Sequence, residues 1–169
     1  MRILGIDPSV NNIGVALWED GNIVTRTWHP PFKEKEFLLA YLPALVKDLL
    51  RERPIDHLVV EYPSFHTSTK GKIAAQKGYT LDLAFVAGLI ASLVKAKHTC
   101  FPTPMDWKGQ TPKDIVGVRF HQWSGYHLTN DHEFEAAMMI KYVLKSYPIA
   151  LPREDIVKYL TAVSYRQAP

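Results

Sequence analysis

Five residues have the types and spacing to act together: Asp7, Glu61, Asp131, His132 and Glu135. Asp7 closes the short apolar run from Arg2, Glu61 closes a second run from Ile55, and the other three open a segment of helical composition. On a helix, positions three apart share a face, so His132 and Glu135 project together, and Asp131, four before Glu135, is within reach of the same side. Each residue alone has an ordinary role. Asp7 before Pro8-Ser9 can shape a turn, Glu61 can sit solvated at a strand end, and Asp131 suits a helix N-cap. The set carries more weight than its members. Carboxylates held close together repel unless a divalent cation lies between them, and Mg2+ or Mn2+ prefers such oxygen ligands. The constellation therefore predicts a metal site.

The elements that must position these residues follow from periodicity. Arg2 to Asp7 and Ile13 to Trp18 read as strands, and Asp20-Gly21 is a tight-turn signal that joins the second to a third strand over Ile23 to Trp28. Lys33 to Arg53 has apolar residues at helical spacing, with Pro43 expected to kink or divide the helix. Ile55 to Glu61 contains the continuous run Leu58-Val59-Val60 of a buried parallel strand. A very apolar helix is expected over Lys72 to Lys97, and a short fifth strand over Thr99 to Pro102. A loop then leads into a short helix from Pro112 through Ile115, a helix over Asp131 to Ser146, and one more over Leu151 to Val163. This order predicts a mixed α/β sheet with helices on both faces. Strand ends in such sheets surround a crevice where ligands gather, and Asp7 and Glu61 both stand at strand ends.

At 169 residues, with nearly half of them apolar, the chain is expected to form a single domain over 1–169. There is no secretory leader pattern and no apolar run of membrane-spanning length, so a soluble, cytoplasmic protein is expected. Cys100 is the one cysteine. It cannot form an internal disulfide and reads as a structural thiol in a reducing compartment. The formal charge of +3 is a weak pointer to a polyanionic partner, but its distribution is uneven. Lys70, Lys72 and Lys77 follow Glu61, and Lys108, Lys113 and Arg119 precede the acidic C-terminal segment.

Three stretches also resemble a known family. Gly5-Ile6-Asp7-Pro8-Ser9, with Asn12 and Gly14-Val15-Ala16 behind it, is similar to the first motif of RuvC-type Holliday junction resolvases. Val59-Val60-Glu61 resembles the second, and Asp131-His132-Glu133-Phe134-Glu135-Ala136-Ala137 resembles the late helix that carries two metal-binding residues three apart. The resemblance implies a ribonuclease H-like fold with a mixed five-stranded sheet. It also implies a structure-selective endodeoxyribonuclease of recombination and repair that cuts four-way DNA with two Mg2+ or Mn2+ ions. The family's four catalytic and metal-binding positions fall on Asp7, Glu61, His132 and Glu135, with Asp7 as the bridging ligand and Asp131 as the alternative to His132. Three roles are open to His132: metal ligand, orienter of water, or general base.

The sequence departs from the family pattern in two ways. Glu135 stands where an aspartate is usual, and His132 where many members have an acid. Phe65 lies one residue from the position of a family aromatic that stacks at the junction, with Ser64 at that position. Phe65, Lys70, Lys72, Lys108 and Lys113 are the expected DNA contacts, and Trp107, Trp123 and Tyr126 are further candidates for stacking on bases. Two symmetric cuts imply a homodimer, with the helix around Leu81 to Val94 as a candidate interface. Competing readings are a nuclease of the same fold acting on flaps, other branched DNA or RNA–DNA hybrids, and a catalytically silent nucleic-acid-binding module. A sugar-kinase or actin-like ATPase would need two such domains, and the chain is too short for them.

Overall fold

The computed structural model describes residues 1–9, 11–30, 35–50, 53–63, 77–128 and 130–146. Strands β1 (Arg2–Asp7), β2 (Ile13–Glu19) and β3 (Asn22–Trp28) form an antiparallel meander. Helix α1 (Lys35–Leu50) leads to β4 (Ile55–Val60), and helix α2 (Tyr79–Leu93) to β5 (Ala96–Cys100). A short turn of helix, α3 (Pro104–Trp107), precedes α4 (Lys113–Ser124) and α5 (Asp131–Ser146). The sheet order is β3-β2-β1-β4-β5, with β4 parallel to both β1 and β5. Parallel neighbours need long crossovers, which the segments containing α1 and α2 supply. The expected five-stranded mixed sheet is the one observed.

Alternation along each strand divides the core into two layers. Leu4 and Ile6 of β1, Ile13 and Val15 of β2, and Leu58 and Val60 of β4 pack with Leu38, Leu42 and Val46 of α1 and Val86, Ala87 and Ile90 of α2. On the opposite face, Ile3, Ala16, Trp18 and Val59 meet Val116 and Phe120 of α4 and Ala136, Ala137, Met139 and Ile140 of α5. Helices thus cover both faces. Among the described residues no helix is long and apolar enough to cross a membrane.

Several boundaries differ from expectation for identifiable reasons. Of the two outcomes expected at Pro43, a kink or a division, α1 is not divided; the buried Leu38, Leu42 and Val46 hold it to the sheet on both sides of the proline. Helix α2 ends at Leu93, and β5 starts at Ala96, where the ladder with Ile55 begins, so the fifth strand lies earlier than Thr99 to Pro102. Helix α4 runs well past Ile115: Val116, Phe120 and Ser124 repeat every four residues on its buried side, and Gly125 ends it at φ 77°. The helix expected over Leu151 to Val163 lies outside the described residues.

Helix α5 crosses the sheet unusually closely. A Cβ on Gly5 would lie 2.3 Å from the carbonyl oxygen of Ala136, and one on Gly14 would lie 2.1 Å from that of His132. Both obstacles are backbone, which cannot rotate aside. Gly14→Ala is expected to destabilise the fold by about 1–3 kcal/mol, the range for overpacking. Denaturant melts should register this, whereas an alanine at exposed Gly88, where no atom lies within 4 Å, should not be destabilising.

Candidate active site

The site assembles at the C-terminal edge of β1 and β4. Asp7 is the last residue of β1 and lies on the face that carries Ile3 and Gly5, toward α5. Glu61 follows β4 directly, and its backbone N–H donates to the carbonyl of Ile6 (3.0 Å), which sets it beside Asp7. Asn130 starts α5: its side-chain oxygen accepts from the backbone N–H of His132 (3.0 Å). The N-cap is thus Asn130, and Asp131 lies in the first turn. From there the close seat on Gly14 aims His132 back over the end of β1.

His132 Nδ1 lies 2.6 Å from Asp7 Oδ2. An N–H facing a carboxylate at this distance donates, leaving Nε2 as the free ring nitrogen. Asp131 is exposed and lies 3.8 Å from Lys113, so His132 is the one turned toward Asp7. Glu135 is 2 % exposed and bonds to the ammonium of Lys108, which also lies 4.0 Å from Glu61 Oε2. Lys113 reaches the other Glu135 oxygen at 3.4 Å. The Trp107 indole N–H donates to Glu61 Oε2 (2.8 Å), and the Lys108 ammonium lies 4.8 Å from the Trp107 ring centre.

The electrostatics are those of acids crowded away from water. Burial raises the Asp7 carboxyl above its ordinary range against the opposing bond from His132, and Glu135 adds to the rise. Burial, with repulsion from Asp7, pushes Glu61 up to about 7. The bond to Asp7 raises the His132 imidazole against its partial burial. For Lys113, burial pulls the ammonium down, but Glu135 and Asp7 outweigh it and hold it above its usual value.

The donor set suits a divalent cation: three carboxylates, two of them buried, and an imidazole meet at one end of the sheet. Among the described residues no three His, Cys, Asp or Glu side chains already stand at ligand spacing around one point. Lys108 occupies the space between Glu61 and Glu135, so a cation there would replace an ammonium.

The same architecture occurs in solved structures. T. thermophilus RuvC in complex with Holliday junction substrate aligns over 85 % of this chain and 96 % of that chain, with a TM-score of 0.59 at 16 % identity. A second Thermus thermophilus RuvC structure aligns over 85 % and 97 %, with a TM-score of 0.51 at 22 % identity. The chain has the RuvC fold. No protein-family model matches its sequence, and no curated protein does.

Within this RuvC fold, three separate segments bring Asp7, Glu61 and the His132/Glu135 pair to one end of the sheet. Phe65, Lys70 and Lys72 lie outside the described residues. Trp123 belongs to α4, where it packs edge-on to Phe120 with Lys141 over its ring, so it is part of the helix layer instead of a free stacking surface. Trp107, expected as a base-stacking candidate, bonds to Glu61; nothing in its sequence context signals that partner. Cys100 is half-buried, and burial raises its thiol, which disfavours the nucleophilic thiolate.

The raised Glu61 has a consequence for stability. In the folded state it keeps its proton up to about pH 7, whereas the unfolded chain loses it near 4.5. Folding is therefore disfavoured progressively as pH rises through that window, and the penalty is complete above it. In metal-free protein, Glu61→Gln should be stabilising at pH 8 by up to about 3 kcal/mol, at about 1.4 kcal/mol per pKa unit, and nearly neutral at pH 4. Thermal melts of both proteins at the two pH values check this.

Proposed function

We propose that the chain is a divalent-cation-dependent endonuclease that resolves four-way DNA junctions, with Asp7, Glu61, His132 and Glu135 as its active residues. The observation that supports this most is the buried carboxylate centre at the strand ends of a RuvC fold, with His132 bonded to Asp7. The structure aligned over 96 % of its length is that of RuvC bound to a Holliday junction, and this chain carries acids at both strand ends and on the late helix.

Asp7, Glu61 and Glu135 would hold two Mg2+ or Mn2+ ions. When bound, the ions supply Lewis acidity, lowering the pKa of water and offsetting charge on the phosphate. The protein's own groups do the rest. Asp7 fixes the orientation of the His132 ring through Nδ1, and Nε2 is left to take a proton from the attacking water. Trp107 holds Glu61, limiting its rotamers. Lys113, half-exposed at the mouth of the site, meets the substrate phosphate, and Lys108, once released from Glu135, does the same. Phe65, Lys70 and Lys72 extend the DNA contacts beyond the described residues. Paired cuts require two copies of the chain, and α2, which exposes Tyr79 and Leu81, is a candidate contact surface.

One observation favours a second reading. Lys108 already neutralises the space between Glu61 and Glu135, as a permanent counter-ion would in a silent nucleic-acid-binding module. Synthetic four-way junctions, flaps, RNA–DNA hybrids and linear duplex, each incubated with Mg2+ or Mn2+, separate the readings. Metal-dependent cutting that is strongest on the four-way junction is the expected result. Asp7→Asn should lower that cutting by roughly 10²–10³-fold or more while junction binding persists, since the basic surface is untouched. Cutting undiminished in that variant would remove Asp7 from the site, and junction binding with no cutting by the unaltered protein would favour the silent module.

A further inference from the structure

Between the two active-site residues of α5 stands a third acid that points elsewhere. The Thr25 hydroxyl donates to Glu133 Oε2 and the Thr27 hydroxyl to Glu133 Oε1, each at 2.8 Å. Both carboxylate oxygens are thereby engaged by alternate residues of β3. Thr25 and Thr27 pair in register with Ala16 and Gly14 of β2, so the two hydroxyls lie on the α5 side of the sheet. The backbone of His132 rests on Gly14 itself. The first turn of α5 is thus seated on β2 through its backbone and tied to β3 through Glu133, while His132 reaches the other way to Asp7 on β1.

These contacts constrain one particular motion. The glycine seats fix how close the helix lies and its buried side chains resist rotation along its length, while at the first turn the Glu133 bonds add a polar restraint on roll. On a helix, Glu133 points about 100° round from His132, so a two-point bond on that side opposes rolling directly. A small roll would swing His132 and Glu135 together, since they share a face, and would displace both from Asp7 and Glu61. Hydrogen bonds to a carboxylate are about twice as strong as neutral ones, which suits a part-buried clamp.

We infer that Glu133, held by Thr25 and Thr27, is a positioning residue that sets the rotation of α5 and so the placement of His132 and Glu135. The inference rests on the proposed nuclease reading of the site. It assigns a role to a carboxylate that neither ligates nor touches substrate.

The test compares Glu133→Ala, Glu133→Gln and the pair Thr25→Val with Thr27→Val. Turnover on a four-way junction is measured alongside calorimetric Mn2+ binding to the DNA-free proteins and thermal melting. Glu133→Ala should lower kcat and weaken Mn2+ binding, each roughly 10–100-fold, the usual effect of removing a group that orients ligands, with KM for the junction unchanged. Glu133→Gln should recover most of both, because its amide can accept from one hydroxyl and donate to the other. The double valine variant should behave like Glu133→Ala, and adding Glu133→Ala to it should cause little further loss, as expected of one interacting unit. Folded Glu133→Ala with kcat and Mn2+ affinity within about twofold of the parent would overturn the proposal, as would a loss that glutamine fails to restore. If Glu133→Ala does not fold, the valine pair decides. If the unaltered protein cuts no junction, the nuclease reading fails, and Mn2+ affinities across the same variants still decide the clamp.

Discussion

Helix α5 lies on β1 and β2 at a separation that only glycine permits, and the placement of His132 and Glu135 against the acids of the sheet follows from that contact. With Gly5 under Ala136 and Gly14 under His132, the backbone of the helix meets the backbone of the sheet directly. A helix held off by even a methyl group at each point would lift its first turn away from the end of β1. His132 could not then keep its 2.6 Å contact with Asp7, nor would Glu135 be sealed beneath the helix. The small residues Ala136 and Ala137, both fully buried, serve the same approach from the helix side. Packing here sets the chemistry as much as stability: close-packed interiors do not deform gradually, so ligand positions are fixed as well as the layers.

The close seat creates an electrostatic problem that other residues answer. Three acids converge where water is scarce, and burial favours their neutral forms. Two lysines from the segment between β5 and α5 offset this by turning into the cluster, Lys108 deeply and Lys113 at its edge. Trp107, the last residue of α3, contributes a neutral hydrogen bond to Glu61. An ammonium between paired carboxylates is the monovalent counterpart of what a divalent cation would do there. The lysines and a metal ion are therefore alternative solutions to one charge imbalance, and exchange between them would also free a cation to face a phosphate.

Much of this was legible in the sequence, and the parts that were not share a cause. Strand ends at Asp7 and Glu61 followed from apolar runs that stop in an acid, and the 132/135 pair followed from helical spacing. The three-residue order of acids along the chain also carried the family resemblance, which the fold bears out. Choosing between His132 and Asp131 needed the helix phase, which depends on Asn130 as the cap and on the seat at Gly14. Asn130 and Asp131 are both favoured N-cap types, so the residue types leave the phase open, and the seat at Gly14 has no local signature. The length of α4 is not evident in the sequence because its buried stripe is only Val116, Phe120 and Ser124, while Arg119, His121 and Gln122 are polar and Val118 is exposed. Strand β5 starts earlier than its sequence suggests because Ala96-Lys97-His98 has little β propensity; the pairing with β4 is imposed by the sheet. The partnership of Trp107 with Glu61 spans 46 residues, and no local pattern encodes such a contact.

On the proposed reading, Asp7, Glu61 and Glu135 would form a divalent-cation centre that Lys108 fills until the metal enters. Crystals of the protein soaked in Mn2+, with anomalous difference density measured near the manganese edge, test it most directly. Density is expected among those three carboxylates, with the Lys108 ammonium withdrawn from Glu135. Lys108 still bound to Glu135, with no density at that point in a crystal whose Mn2+ sites elsewhere are filled, would contradict it.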